Sequence, residues 1–313
     1  NLKNGFPLKN KLLGFDSNKD KIYYKGNITL YSILKCLDDE NYNNLENIIL
    51  SCDNIFFNLT FVDNSLISSS FLLPDGTMDI NGRPEYVQEA CEASLKRLGT
   101  EYIDIYSQHR VDTTVPIEET VGAMSRLVEQ GKILHVGLSE AGDQTVRRAN
   151  KTYPIVCLET EYSLWSREVE EEILPTCQEL GISLMPYAPL GRGFLSGSIR
   201  SSSDLSEDDQ RVMQPRFAQE NIDQNIEKLG VLEEVAKEKG FKPAQVAIAW
   251  ILQQDENLVP IPGTKRTKYL NENMRAVDLF LEKNDLDRLS DVFAIGETAG
   301  TRYPAGHMKL LGV

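Results

Sequence analysis

From Pro84 onward two rhythms of apolar residues alternate along the chain. Pro84 to Leu98 sets Val87, Ala90, Cys91, Ser94 and Leu95 on one face at helical spacing, and Pro84 stands where its missing N–H costs little. Ile103 to Ser107 is a short apolar run of strand length. Pro116 to Gln130 returns to the helical period through Ile117, Val121, Met124, Leu127 and Val128, and Gly131 supplies the stop. Ile133 to Leu138 reads as the next strand. The cycle continues with a helix over Asp143 to Asn150, a strand over Ile155 to Leu158, a helix over Val169 to Leu180 and a strand over Ser183 to Tyr187. After a longer insertion come helices at Ile226 to Lys239 and Pro243 to Gln253, a strand at Leu258 to Ile261, and helices at Lys268 to Met274 and Asp285 to Val292.

Strands separated by helices imply parallel pairing, because parallel neighbours need a crossover connection. A doubly wound sheet and a closed (β/α)8 barrel both satisfy that order. The polar residues favour the barrel. Gln108-His109-Arg110, Ser139-Glu140, Glu159-Thr160-Glu161 and Gly263-Thr264-Lys265 each follow a different strand, which is the layout of a barrel mouth. The expected fold is therefore α/β, a TIM-type parallel closed barrel in one domain spanning residues 1–313. Residues 1–72 are atypical for it. They are rich in Asn, Lys, Ile and Tyr, and their apolar runs at Ile28 to Leu37, Ile48 to Ser51, Ile55 to Val62 and Leu66 to Leu73 show no legible order. Closure of the barrel requires three further strands from this region. Residues 293–313 read as a tail.

A formal net charge of -14 makes general attraction to nucleic acid or to an anionic membrane surface unfavourable, so an anionic ligand needs a local basic pocket. The N-terminus lacks the basic, apolar, small-residue order of a signal peptide, and no apolar run has the length of a membrane span. The expectation is a cytoplasmic protein. Cys36, Cys52, Cys91, Cys157 and Cys177 are odd in number and widely spaced, which argues for free thiols and against a disulfide framework or a zinc site.

Five stretches, "EYIDIYSQHRVD", "GKILHVGLSE", "LETEYSLWSREVE", "LMPYAPLGRGFLSG" and "LVPIPGTKRTKYLNEN", together resemble the aldo-keto reductase superfamily, in the order and spacing of its NADP-dependent reductases. The resemblance covers about Leu73 to Val292. It implies that His109 points into the mouth and donates a hydrogen bond to a substrate carbonyl, stabilising the charge that develops as hydride arrives. It implies that Ser139 and Glu140 hold the nicotinamide carboxamide, although the family usually has Asn at the second position. Glu159 stands where many relatives carry Gln, and an ionised carboxylate accepts hydrogen bonds but cannot donate them. Both glutamates also admit a plain reading as solvent-facing loop residues.

Tyr187 resembles the aromatic ring on which the nicotinamide stacks. Pro189, Leu190, Gly191, Arg192 and Gly193 resemble the loop over the cofactor pyrophosphate. Gly263, Thr264, Lys265, Tyr269, Glu272 and Asn273 resemble the segment around the adenosine and the 2'-phosphate, with Lys265 the leading charge partner and Arg266 and Lys268 beside it at a helix start. No metal is implied. His135 and His307 take structural roles.

The family's proton donor is a tyrosine assisted by lysine and aspartate, and no Asp here has Tyr five positions on. Aligning "LISSSFLLPDG" with the family's third strand sets Ser70 at the lysine position. Aligning "NIILSCDNIF" instead makes Asp53 the acid without its tyrosine, and Asp16 and Tyr24 have the wrong spacing. The leading expectation is NADP(H)-dependent reduction of a small-molecule aldehyde or ketone. The alternatives are a catalytically impaired NADP-binding or regulatory relative, and a different phosphate-binding barrel enzyme. A homo-oligomer is compatible with the sequence. The basic segment makes a direct prediction: NADPH binds more tightly than NADH in a fluorescence titration, and equal affinities would remove the 2'-phosphate assignment.

Overall fold

The computed structural model describes residues 14–16, 21–23, 70–72 and 78–313 except Asp208 and Lys265, with side chains from residue 80 onward. Two short hairpins come first. β1 (Gly14–Asp16) pairs antiparallel with β2 (Lys21–Tyr23), and β3 (Ser70–Leu72) pairs antiparallel with β4 (Met78–Ile80). The third-strand alignment of Leu66 to Gly76 is thereby corrected: Ser70 lies in a hairpin, whereas a barrel strand would run parallel to its neighbours. Pro74-Asp75-Gly76, between the two strands, is turn-forming chemistry and gives the reason. The apolar runs between Ile28 and Val62, and Asp53 among them, lie outside the described residues.

The rest is the alternation expected. Helix α1 (Pro84–Leu98) starts on its proline and ends on Gly99 at φ 66°, a left-handed cap that glycine adopts freely. Strand β5 (Ile103–Gln108) follows, then α2 (Ile117–Glu129), β6 (Ile133–Ser139), α3 (Asp143–Thr152), β7 (Ile155–Glu161), α4 (Ile173–Leu180) and β8 (Ser183–Tyr187). The four strands form one parallel sheet in the order β5-β6-β7-β8. Parallel bridges from Leu184 to Leu258 and from Tyr187 to Ile261 set a fifth strand position beside β8. Then come α5 (Gln219–Lys239), α6 (Pro243–Leu252), α7 (Thr267–Met274), α8 (Lys283–Val292) and the short α9 (Ala305–Met308).

Three boundaries depart from the periodicity. The helix expected over Val169 to Leu180 is a 3-10 turn, Glu168–Glu170, followed by α4, and α5 begins earlier than Ile226. β7 runs on through Glu161, so the Glu159-Thr160-Glu161 stretch is strand and not loop. A run of carboxylates lowers apparent strand character, but alternate side chains of a strand face opposite sides and need not share one environment.

Two apolar clusters show which side is which. The larger lies between the sheet and the helices and includes Tyr106, Val121, Met124, Leu138, Leu158 and Trp250. The smaller, Ile105, Cys157, Met185 and Ile261 with Tyr187 against it, collects alternate residues of the strands on the opposite face. That second face is the interior of a barrel wall. Gly137 of β6 faces it at a point where a methyl group would stand 2.3 Å from Ser107 Oγ and 2.9 Å from Cys157 Sγ. Glycine is required there by close approach. Cys91, Cys157 and Cys177 are buried free thiols, with Cys157 and Cys177 pushed up to about 12 mainly by burial. Among the described residues no helix is long and apolar enough to cross a membrane. Replacing Gly137 by Ala overpacks this wall. It is expected to cost ~1–3 kcal/mol of unfolding free energy, read as a lower urea midpoint at unchanged m-value.

Candidate functional site

In a parallel sheet all strands end on the same side, and here those ends carry the polar residues. Register fixes their neighbours: Gln108 lies beside Leu138, Ser139 beside Glu159, and Glu161 beside Tyr187, which bridges to Ile261. The C-terminal edge of the sheet is therefore a continuous polar rim, with His109 following directly on β5.

His109 is half-buried. Burial and the adjacent Arg110 guanidinium push its imidazole down to about 3, so the ring is neutral at physiological pH. Arg110 ties β5 to β6: its Nη1 donates to the His109 carbonyl at 2.6 Å and to Ser139 Oγ at 3.1 Å. Ser139 is buried, and so is Glu140, only 3% exposed. The solvent-facing reading of Glu140 is thus excluded. Its carboxylate accepts from the Glu161 N–H at 3.0 Å and from Arg302 Nη1 at 3.1 Å, while its own N–H donates to the Glu159 carbonyl at 2.9 Å. Glu159 is half-buried on β7.

The residues after β8 form a tight loop. Ala188, Gly191, Arg192 and Gly193 all have positive φ. Gly191 has a second constraint, since a methyl group there would meet the Trp165 ring at 2.9 Å. Phe194 anchors the loop by stacking on Trp165 with ring centroids 4.0 Å apart, and Phe217 meets the same indole edge-on at 5.4 Å. Pro189 is buried and Leu190 packs on the outer core.

Arg192 does not extend into solvent. Its Nη2 donates to Glu161 Oε2 at 2.9 Å and to the Tyr303 hydroxyl at 2.7 Å. Glu161 also receives Arg216 Nη1 at 3.0 Å and the Ser166 hydroxyl at 2.9 Å. Burial alone would raise the Glu161 carboxyl, but Arg192, Arg216 and Arg302 outweigh it and hold the group below the usual carboxylate range. The Tyr187 hydroxyl stands 3.2 Å from that of Tyr303. Burial, followed by Glu140, raises the Tyr187 phenol well above its ordinary value, so it stays protonated.

Arg216, Arg302 and Tyr303 were absent from the sequence-based site, and Glu161 entered it only as one of the polar residues of the mouth, with no role assigned. Glu161 had a signal, because it lies two positions beyond Glu159 on one strand face. The others did not: Arg216 is 55 residues from Glu161, and Arg302 is 162 from Glu140.

The basic segment lies beyond the bridge at Ile261. Gly263 is exposed with open space around it, and the Thr264 hydroxyl accepts from the Arg266 N–H at 3.3 Å. No side chain caps the start of α7, and Arg266 and Lys268 project there over the exposed Tyr269 ring. Glu272 pairs with Lys242 at 2.5 Å, and Asn273 is buried. Lys265 lies outside the described residues. An uncapped helix start with two exposed cations fits a phosphate monoester. Among the described residues no cluster of His, Cys, Asp and Glu is suited to hold a metal ion.

Residues 60–293 match the model of the Aldo/keto reductase family. A probable aldo-keto reductase 1 from Glycine max is 49% identical over 234 residues, covering 73% of this chain and 66% of its own length. The match thus spans just under two thirds of that relative. Among solved structures, a thermostable aldo-keto reductase in complex with the inhibitor epalrestat aligns at 30% identity and a TM-score of 0.55, over 67% of each chain. The glycerol dehydrogenase of Gluconobacter oxydans aligns at 23% identity and a TM-score of 0.65, covering 70% of this chain and 66% of its own, a likeness of fold.

The His109 environment sets the sign of a pH effect. The unfolded imidazole protonates near its ordinary value of about 6.5, whereas the folded one resists until about 3. Stability is therefore full above about pH 7 and is lost as pH falls through that window, because the unfolded state binds the proton first. Urea midpoints measured at decreasing pH are expected to fall less steeply for His109→Gln than for the parent.

Proposed function

Because the chain is a member of the aldo/keto reductase family, with that family's α/β barrel fold, we propose that it is an NADP(H)-dependent oxidoreductase acting on a small aldehyde or ketone. The observation that carries this reading is the neutral His109 imidazole at the rim, tied through Arg110 to Ser139. The bound dinucleotide would supply the hydride.

The chain's own residues have separable tasks. Arg266, Lys268 and the start of α7 attract the phosphate end. The positive-φ loop at Gly191 to Gly193 lets backbone approach the pyrophosphate closely. Ser139 and Tyr187 orient the nicotinamide, one through its hydroxyl and one through its ring. His109 donates to the carbonyl oxygen from a half-buried position, where such a bond is stronger than in bulk solvent. Buried free thiols suit a reducing compartment such as the cytoplasm.

A second reading is a cofactor-binding or regulatory protein with little turnover. It is favoured by the lack of an Asp-Tyr pair at the family spacing. Losing a general acid costs on the order of 100- to 10,000-fold in rate.

Titrating the protein with NADPH and then adding a panel of aromatic aldehydes separates the two. Binding followed by loss of NADPH absorbance is the expected result, and His109→Gln should lower kcat about 100-fold with little change in NADPH affinity. Binding without oxidation would favour the regulatory reading, and failure to bind would remove both.

A further inference from the structure

Arg302 and Tyr303 are consecutive, yet their side chains reach opposite parts of the rim. Arg302 holds the Glu140 carboxylate on the β6 side, Nη1 to Oε1 at 3.1 Å and Nη2 to Oε2 at 3.5 Å. Tyr303 joins the β8 side: its hydroxyl receives Arg192 Nη2 at 2.7 Å and stands 3.2 Å from the Tyr187 hydroxyl, with the Arg192 guanidinium 4.9 Å above its ring. β6 and β8 are not neighbours. β7 separates them, a gap of about 10 Å at ordinary strand spacing.

What the segment grips on the β6 side is strained. Glu140 has φ 52°, a left-handed conformation that a residue with a Cβ adopts only when its surroundings enforce it. The C-terminal segment supplies much of that enforcement. Besides Arg302, the Gly312 N–H donates to the Glu140 carbonyl at 3.0 Å, and the Gly142 N–H donates to the Val313 carbonyl at 3.0 Å. A methyl group on Gly142 would meet the Gly312 carbonyl oxygen at 2.5 Å, so the segment is seated closely on this turn.

We propose that Arg302 and Tyr303 are positioning residues for the nicotinamide, clamping the strained Ser139–Glu140 turn at a fixed distance from Tyr187 across β7. The inference rests on the reading that Ser139 and Tyr187 receive the nicotinamide of NADP(H). It explains why a glutamate stands where the family usually has asparagine: Glu140 gives Arg302 a carboxylate to hold, and Ser139 is left to meet the cofactor. Holding the two halves of the site in their bound geometry lowers the ordering cost of binding.

Two conservative variants test it. Tyr303→Phe keeps the ring and removes the hydroxyl, and Arg302→Lys keeps the charge and loses the planar fork. Each is expected to weaken NADPH binding roughly tenfold, about the effect of one lost orienting hydrogen bond. Adenosine 2',5'-bisphosphate lacks the nicotinamide and should bind both variants as it binds the parent. Without any ligand, amide exchange at Glu140 and Glu161 should be faster in Arg302→Lys. NADPH affinity within twofold of the parent in both variants would overturn the proposal, as would equal losses for NADPH and the bisphosphate. If the parent binds neither ligand, the NADP reading fails and takes the cofactor role of the clamp with it. If the parent binds both ligands and amide exchange is unchanged in Arg302→Lys, the clamp alone fails.

Discussion

The mouth of this protein is organised around one carboxylate that has no access to water. The Glu161 side chain is fully buried, and a charge in that position is tolerated only when paired and hydrogen-bonded on every side. Arg216 reaches it from the insertion after β8, Arg192 from the glycine-rich loop and Ser166 from the turn after β7. Removing the Arg216 guanidinium would leave the carboxylate held by Arg192 and the Ser166 hydroxyl, with its most deeply buried charge partner gone. The shape of the loop at Gly191 to Gly193 and the seating of Arg216 over the Trp165 ring at 4.8 Å are linked through this pairing.

That network also joins structure to function. Glu161 donates its backbone N–H to Glu140, and its carboxylate holds Arg192, which holds Tyr303 beside Tyr187. The groups assigned to the nicotinamide are thus set by a chain of charge-assisted bonds, and packing alone does not place them. His109 is fixed differently. It follows β5 directly, and its position is set by the sheet register and by Arg110, with burial keeping the ring neutral.

Much of this was legible from the order of residues. Apolar spacing located α1, α2, α3, α6, α7 and α8 to within a few positions, because each buries one face against the sheet and the 3.6-residue period survives on that face. The place of His109, Ser139 and Tyr187 on one edge of the sheet was legible because each closes or follows a strand, and parallel strands end on a common side. The Glu161 network was not. Its members come from segments far apart in the chain, and nothing local marks Arg216 as buried or Arg302 as held at the rim. The early region was hardest, since short antiparallel hairpins such as Ser70–Leu72 with Met78–Ile80 leave no helical period to count.

β7 alternates between two jobs one residue apart. Cys157, Glu159 and Glu161 point toward the barrel interior and its mouth, while Leu158 belongs to the cluster under the helices. Inserting or deleting a single residue in this strand would therefore do more than shift its end. It would send leucine into the polar opening and drive two carboxylates beneath the helical layer, so the length of this strand is set by which face each side chain must meet.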